Sequence, residues 1–308
     1  MKINKVLVTW RLMIDYIKKN NIKKKYPNIK FTLFNTKQSL NEKKLLSVIK
    51  PYDGLICGDD EINKRVINHA KNLRVISKWG TGIDSIDKDY CKKKNIKIFN
   101  TPNAFTNSVV QLAMSFMFAA SRDIINTDSL IRKGFWPKTS GFLLKDKTLG
   151  IIGFGKIGKL LGKLSNQIGM EVVYADIKKI NFKQKNFKQL TKETVLKKSD
   201  FIVICCDLNN SSKNLIGLKE FRIMKKTATF INVARGPIVN EKALIKALKK
   251  GMISFVGLDV FLKEPIKKKS YLTKIKNCIL SSHNAFNCKE EVDLVNKNTL
   301  NNLILNLK

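Results

Sequence analysis

The stretch TLGIIGFGKIGKLLGKL, positions 148–164, constrains the fold more than any other part of the chain. The apolar run LGII leads directly into the glycine turn GFGKIG (153–158), and a segment of helical composition follows at once. Strand, tight turn and helix in that order open a βαβ unit, which calls for a parallel sheet with helices packed on it. Gly153 permits the tight turn, Gly155 lets the backbone approach a pyrophosphate, and Gly158 lets helix and strand pack closely. The helix N-terminus presents unpaired N–H groups and the positive end of its dipole to phosphate. Eighteen residues past Gly158, the strand VVYAD ends in Asp176. A carboxylate there accepts from ribose hydroxyls and repels a 2′-phosphate, so the turn points to NAD rather than NADP. Lys178 and Lys179 stand close enough in sequence to soften that preference.

The same alternation runs through the rest of the chain. KVLVTW (5–10), IKFTLF (29–34), DGLICG (53–58), RVISKWG (74–80) and IKIFN (96–100) read as strands. Segments with apolar residues at helical spacing, such as LNEKKLLSVIK and INKRVINHAKNL, lie between them. After the glycine turn come EVVYADI, DFIVICC, ATFINVA, FVGLDVF and NCILSSHN, with NEKALIKALKK (240–250) a helix closed by Gly251. The last segment carries a capping-box-like Asn287…Glu290 pair and sets Val292, Val295, Leu300 and Leu303 roughly on one helical face. A length of 308 residues suits two domains. The expected fold is therefore α/β, with two Rossmann-like, doubly wound parallel sheets and a cleft between them.

Composition removes other classes. A 44% hydrophobic, 27% charged chain is globular rather than disordered. The run VVQLAMSFMFAA (109–120) is too short to span a bilayer, and the N-terminal apolar stretch is too brief for a secretory signal. Both point to a cytoplasmic protein that does not enter membranes. The net charge of +35 raises nucleic acid as a partner. The lysines, however, are scattered along the whole length, and no aromatic residues interleave with the basic runs to stack bases, so nucleic acid is not the expected partner. Six cysteines show no CxxC pair and no metal-type spacing with histidine. They read as reduced structural thiols, Cys205 and Cys206 as strand residues on opposite faces, and no metal site is expected. Of the two histidines, His69 sits in a helix off any apolar stripe and reads as a surface residue; His283 lies in SSHNAF (281–286).

Several separated motifs, in order, resemble the D-isomer-specific 2-hydroxyacid dehydrogenases, nearest their phosphoglycerate dehydrogenase branch. They are KWGTGIDSID (78–87), NTPNAFTNSVVQ (100–111), GFGKIG with Asp176, INVARGPIVNE (231–241), GLDVFLKEP (257–265) and SSHNAF. The resemblance implies NAD as cofactor and a small 2-hydroxy or 2-oxo acid as substrate. It implies a substrate domain made of 1–98 and 287–308 and a cofactor domain of 99–286, with a homodimer formed through the helix near 105–121. Arg235 then matches the arginine that binds the substrate carboxylate and carbonyl with its fixed fork of donors. His283 matches the acid/base and Glu264 the carboxylate that orients it. Lys156, Ile157 and Ala234 join the glycines and Asp176 around the cofactor, and Asp259 matches a residue that bonds the nicotinamide amide. Gly80, Thr81 and Gly82 match a loop whose N–H groups bind the substrate carboxylate, with Lys78 an anion contact beside them.

Three departures bear on the substrate. Gln111 stands where relatives often carry Glu. Cys57, Gly58, Asp59, Asp60 and Glu61 stand where phosphoglycerate enzymes tend to present an arginine to phosphate. Cys205, Cys206 and Asp207 replace a His-Thr-Pro-like turn along the cofactor. The leading substrate on this reading is 3-phosphoglycerate. The alternatives are a non-phosphorylated or sugar-derived acid of the hydroxypyruvate or glyoxylate type, and an NAD-sensing interaction protein like the corepressors of this fold.

Overall fold

A computed structural model describes residues 3–35 and 39–307. The chain divides into two compact units, Met1–Phe105 with Asn287–Lys308, and Thr106–Phe286.

The first unit holds five strands, β1 (Asn4–Val8), β2 (Ile29–Leu33), β3 (Gly54–Cys57), β4 (Val75–Lys78) and β5 (Lys97–Phe99). They form one parallel sheet in the order β2-β1-β3-β4-β5. β3 and β4 are buried at every residue, as expected for strands covered by helices on both faces. Strand order reverses between β1 and β3, and in such sheets ligands bind outside the carboxyl ends of the strands at that point. The lysine-rich segment after β1 is a helix, Arg11–Lys19, because Met13, Ile14 and Ile17 fall on one buried face while its lysines stay in water.

The C-terminal helix Lys289–Asn306 belongs to this unit and buries Val295, Leu300 and Leu303. Two hydrogen bonds fix its position on β4 and the residue after it. Ser77 Oγ donates to the Thr299 carbonyl at 2.8 Å, and Trp79 Nε1 donates to Asn296 Oδ1 at 2.7 Å. The sequence reading of Asn287 as a capping residue is corrected here. The residue at the cap position is Cys288, whose side chain makes no capping hydrogen bond.

The second unit holds β6 (Thr148–Ile152), β7 (Glu171–Ala175), β8 (Phe187–Gln189), β9 (Phe201–Ile204), β10 (Thr229–Asn232), β11 (Phe255–Leu258) and β12 (Cys278–Leu280). All pairs are parallel, in the order β12-β11-β10-β9-β6-β7-β8. The order reverses at β6, the strand that feeds the glycine turn. The sequence reading passed over β8, whose three residues are too few for a period to register. Cys205 and Cys206 lie beyond the end of β9 rather than within a strand. Burial raises the Cys205 thiol and pushes Cys206 up to about 11, so both are neutral thiols at physiological pH. His69 ends a short helix, Lys64–His69, and is exposed.

The helix Thr106–Arg122 opens this unit and packs Val110, Ala113, Phe116 and Met117 inward. Past it, Ile125, Phe135, Trp136 and Leu143 are 56, 61, 77 and 72% exposed. Among the described residues no single helix is long and apolar enough to cross a membrane.

Candidate active site

The glycine turn follows β6. Gly153 has φ +92°, a left-handed conformation that costs glycine little, and its N–H donates to the Ala175 carbonyl at 2.9 Å. A side chain there would place its Cβ 2.5 Å from the backbone nitrogen of Cys206, and one at Gly158 would lie 2.4 Å from the Gly153 carbonyl oxygen. Gly155 precedes the helix Lys156–Gln167 and faces open space, with nothing within 4 Å of where a Cβ would stand. Among the described residues, no acceptor meets the backbone N–H groups of Lys156 and Ile157. Behind the turn, Phe154 is fully buried and stacks on Tyr174 with ring centroids 3.7 Å apart, which fixes the loop against β7. Asp176 closes the arrangement. Its Oδ2 accepts from the Phe154 N–H at 2.8 Å and its Oδ1 from the Lys178 N–H at 2.9 Å. Open space at Gly155, free N–H groups at a helix start and a carboxylate at the end of β7 fit a dinucleotide.

The other elements of this unit converge on His283. Its Nδ1 lies 2.6 Å from Glu264 Oε2, with the two side chains 25% and 35% exposed. Glu264 Oε1 accepts from the Phe261 N–H at 2.9 Å, so one carboxylate grips both the ring and the chain segment leading to it. The acceptor at Nδ1 keeps the proton on that nitrogen.

His283 has φ +52°, unusual for a residue with a side chain, and Asp259 holds the turn that imposes it. The His283 N–H donates to the Asp259 carbonyl at 2.7 Å. The N–H groups of Asn284 and Ala285 donate to Asp259 Oδ1 and Oδ2 at 2.8 and 3.1 Å. Asp259 is 1% exposed. Each Asp259 oxygen thus accepts one N–H of the 283–285 turn and keeps a further lone pair.

Arg235 follows β10 in extended conformation, and its Nη1 donates to the Ala234 carbonyl at 2.8 Å. Asn232 organises this loop. Its Nδ2 donates to the Arg235 carbonyl at 3.0 Å, its Oδ1 accepts from the Ala234 N–H at 3.1 Å, and its carbonyl accepts from the Asp259 N–H at 3.0 Å. Gly236 lies flush on the neighbouring segment, where a Cβ would fall 1.9 Å from the Phe261 carbonyl oxygen. A continuous set of contacts thus joins the Arg235 loop to Phe261, Glu264, His283 and Asp259. Sequence reading missed Asn232. The signal available was a polar residue ending an apolar strand, which is 1% exposed here and so must find partners.

In the first unit, Lys78 ends β4 and is 4% exposed. Its Nζ lies 3.0 Å from Asp59 Oδ1 and donates to the Trp79 carbonyl at 3.0 Å. Gly80, with φ +105°, turns the chain, and Lys78 Nζ lies 3.9 Å from where a Gly80 Cβ would stand. The loop is tied down on its far side. Thr101 N–H donates to the Gly80 carbonyl at 3.0 Å, Thr81 Oγ1 to the Thr101 carbonyl at 3.1 Å, and Asn100 Nδ2 to the Thr81 carbonyl at 2.6 Å. The backbone N–H groups of Gly80, Thr81 and Gly82 have no acceptor among the described residues, which makes an anion-binding concavity.

Residues 114–285 match the family described as "D-isomer specific 2-hydroxyacid dehydrogenase, NAD binding domain". The chain is 36% identical to a glyoxylate reductase of Thermococcus litoralis over 251 residues, 78% of this chain and 76% of the relative. It is equally 36% identical to a glyoxylate reductase of Thermofilum pendens over 253 residues, 79% and 75% of the two chains. Among solved structures it superimposes on a glyoxylate reductase from Paecilomyes thermophila with a TM-score of 0.85 and 25% identity, covering 100% of this chain and 96% of the other.

Proposed function

The chain belongs to the D-isomer specific 2-hydroxyacid dehydrogenase family and is an NAD-dependent oxidoreductase acting on a CH–OH group; on that premise we propose that it reduces glyoxylate or hydroxypyruvate. The names of its relatives support this substrate class in place of 3-phosphoglycerate, the leading candidate from sequence. The observation that carries the reading is the 2.6 Å pair of His283 and Glu264, held in place by Asp259.

When bound, NADH supplies hydride to the carbonyl carbon of the 2-oxo acid. The chain's residues do the rest. Arg235 binds the carboxylate and carbonyl oxygen of the substrate and polarises the carbonyl. His283 gives a proton from Nε2 to the carbonyl oxygen as it gains negative charge, and takes it back in the reverse direction. Glu264 orients the imidazole and stabilises its cationic form. The N–H groups that follow Gly155, at Lys156 and Ile157, receive the pyrophosphate, Asp176 receives the ribose hydroxyls, and Ala234 lies along the cofactor. In the first unit, the N–H groups of Gly80, Thr81 and Gly82, with Lys78 beside them, are suited to hold an anion. The active species is a homodimer, a reading supported by the exposed apolar side chains between Ile125 and Leu143.

The test is NADH oxidation with glyoxylate, hydroxypyruvate and phosphohydroxypyruvate by the native chain and by His283→Ala. Turnover of the first two that is lost in the variant supports the reading. Turnover that survives removes His283 from proton transfer, and preference for the phosphorylated acid returns the substrate to the phosphoglycerate class.

A further inference from the structure

Every crossover in a parallel sheet returns the chain to the same edge, so residues far apart in sequence meet at the amino ends of the strands. At that edge of the second unit, lysines come in pairs. Lys197 and Lys198 precede β9, Lys225 and Lys226 precede β10, and Lys249 and Lys250 precede β11. The flanking strands repeat this, with Lys274 and Lys276 before β12 and Lys145 and Lys147 before β6. These strands are consecutive neighbours, β12-β11-β10-β9-β6. Backbone hydrogen bonds hold the segments side by side. The Asp200 N–H donates to the Thr148 carbonyl at 2.9 Å, the Thr229 N–H to the Asp200 carbonyl at 2.9 Å, and the Ser254 N–H to the Ala228 carbonyl at 3.0 Å. The Val256 N–H donates to the Asn277 carbonyl at 3.0 Å. With neighbouring strands about 4.8 Å apart, the row is about 20 Å long. The glycine turn, Asp176, Asn232 and Asp259 lie at the opposite, carboxyl edge of the same sheet.

Ordinary structural needs account for part of this charge. The helices Lys192–Lys198, Leu218–Ile223 and Glu241–Lys249 end at this edge. Each such end carries about half a negative charge, which a single lysine offsets. The segments contain two acids, Asp146 and Asp200, and Asp200 Oδ1 lies 2.8 Å from Lys225 Nζ. Set against ten lysines, these leave roughly six positive charges without a counterpart. Lys147 and Lys225 are half-buried and the other eight are exposed.

We propose that this amino edge is a binding face for double-stranded nucleic acid, which it holds by the phosphates without reading bases. One strand of a duplex carries a phosphate about every 3.4 Å of its axis, so a row of about 20 Å meets about six of them, matching the uncompensated lysines. In the segments leading to β9, β10, β11 and β12, Tyr271 is the one large apolar side chain exposed among the described residues. Lys249 Nζ stands over its ring, 4.1 Å from the centroid. That leaves neither an open ring to stack a base nor an apolar group to enter a lipid layer. The scatter of lysines along the chain, which argued against nucleic acid, is undone by the fold. The face stands apart from the reaction, at the other edge of the sheet.

The probe is a short fluorescein-labelled DNA duplex of arbitrary sequence, titrated with the full chain and followed by anisotropy at several salt concentrations. Six phosphate contacts give a slope of log affinity on log salt of about −5. In the triple variant Lys198→Glu, Lys226→Glu, Lys250→Glu, affinity should fall about tenfold or more and the slope should weaken by about three. Lys213→Glu, Lys219→Glu, Lys242→Glu makes the same change of net charge at the carboxyl edge, and should cost less than about threefold. Equal losses in the two variants mean that net charge alone draws the duplex, and they overturn the proposal. A native chain that leaves the duplex free at low salt overturns it too, as does one that binds phosphatidylserine–phosphatidylcholine vesicles and ignores the duplex. NADH oxidation and the melting temperature of the first variant should match the native chain, which separates loss of this face from loss of fold or of the reductase. If the triple variant is unstable, Lys226→Ala and Lys250→Ala singly should each weaken the slope by about one, and an unchanged slope in both refutes the assignment.

Discussion

Replacing Glu264 by Ala should slow the reaction about thirtyfold, and the figure follows from two contacts. Oε2 lies 2.6 Å from His283 Nδ1 and Oε1 accepts from the Phe261 N–H at 2.9 Å, so Ala removes the ring's orienting partner and loosens the segment before it. A hydrogen bond to a charged group contributes about 1.5–3 kcal/mol, and partial exposure of both side chains places this pair toward the lower end, near 2 kcal/mol. At about 1.4 kcal/mol per factor of ten, that is a loss of roughly thirtyfold in kcat. Gln keeps an acceptor for one of the two N–H donors, sets its NH2 against the other and loses the charge; with its oxygen toward His283 it should cost less than Ala, about fivefold, on the order of 1 kcal/mol. The assay is steady-state 2-oxo acid reduction followed by NADH absorbance, with the NADH dissociation constant measured separately by fluorescence. The constant should not move, because the glycine turn and Asp176 that receive the cofactor make no contact with Glu264 among those described. If kcat in Ala stays within about twofold of the native value, the pair does not orient the proton carrier and the reasoning fails.

Asp259→Asn leaves one of the buried N–H groups of Asn284 and Ala285 facing an amide NH2, a cost of about 1–3 kcal/mol. At roughly 2–4 °C per kcal/mol, the melting temperature should fall by about 5 °C, and kcat should fall with it as the His283 turn loosens; an unchanged melting curve would contradict the hydrogen bonding described. Burial raises the Asp60 carboxyl above its ordinary range, while the Leu40 N–H and the Thr9 hydroxyl pull it back. The folded state therefore holds this proton more tightly than the unfolded chain does. The resulting stability is complete below about pH 4 and is lost as pH rises through the raised value. Asp60→Asn does not titrate, so the stability of the native chain relative to this variant should decline as pH rises above about 4 in urea titrations; parallel profiles would sink the assignment. Trp136→Lys combined with Leu143→Lys should convert a dimer to a monomer in sedimentation equilibrium without changing the circular dichroism spectrum. A native chain that already sediments as a monomer ends the dimer proposal.

Much of this protein was legible along the chain because the signals are local. A glycine pair set by backbone sterics, apolar runs that have to be buried, and Asp176 at the end of a strand each carry their meaning within about twenty residues of the turn they serve. His283 and Glu264 could be singled out by type and motif, and they stand together in the structure.

The rest depended on partners distant in sequence. Asp259 bonds groups 25 and 26 residues away, so that its carboxylate holds the His283 turn. Asn232 offered only a polar residue at the end of an apolar strand, and its work of joining the Arg235 loop to Asp259 shows in no local pattern. The three acids at 59–61 look alike in sequence, yet one enters the interior, one caps a backbone N–H and one balances Lys78. Periodicity and turn stereochemistry act between neighbours, so sequence determines which elements form and where a nucleotide would meet them. The direction a carboxylate faces is set by the donors that folding brings within 3 Å of it, and only the tertiary structure decides that.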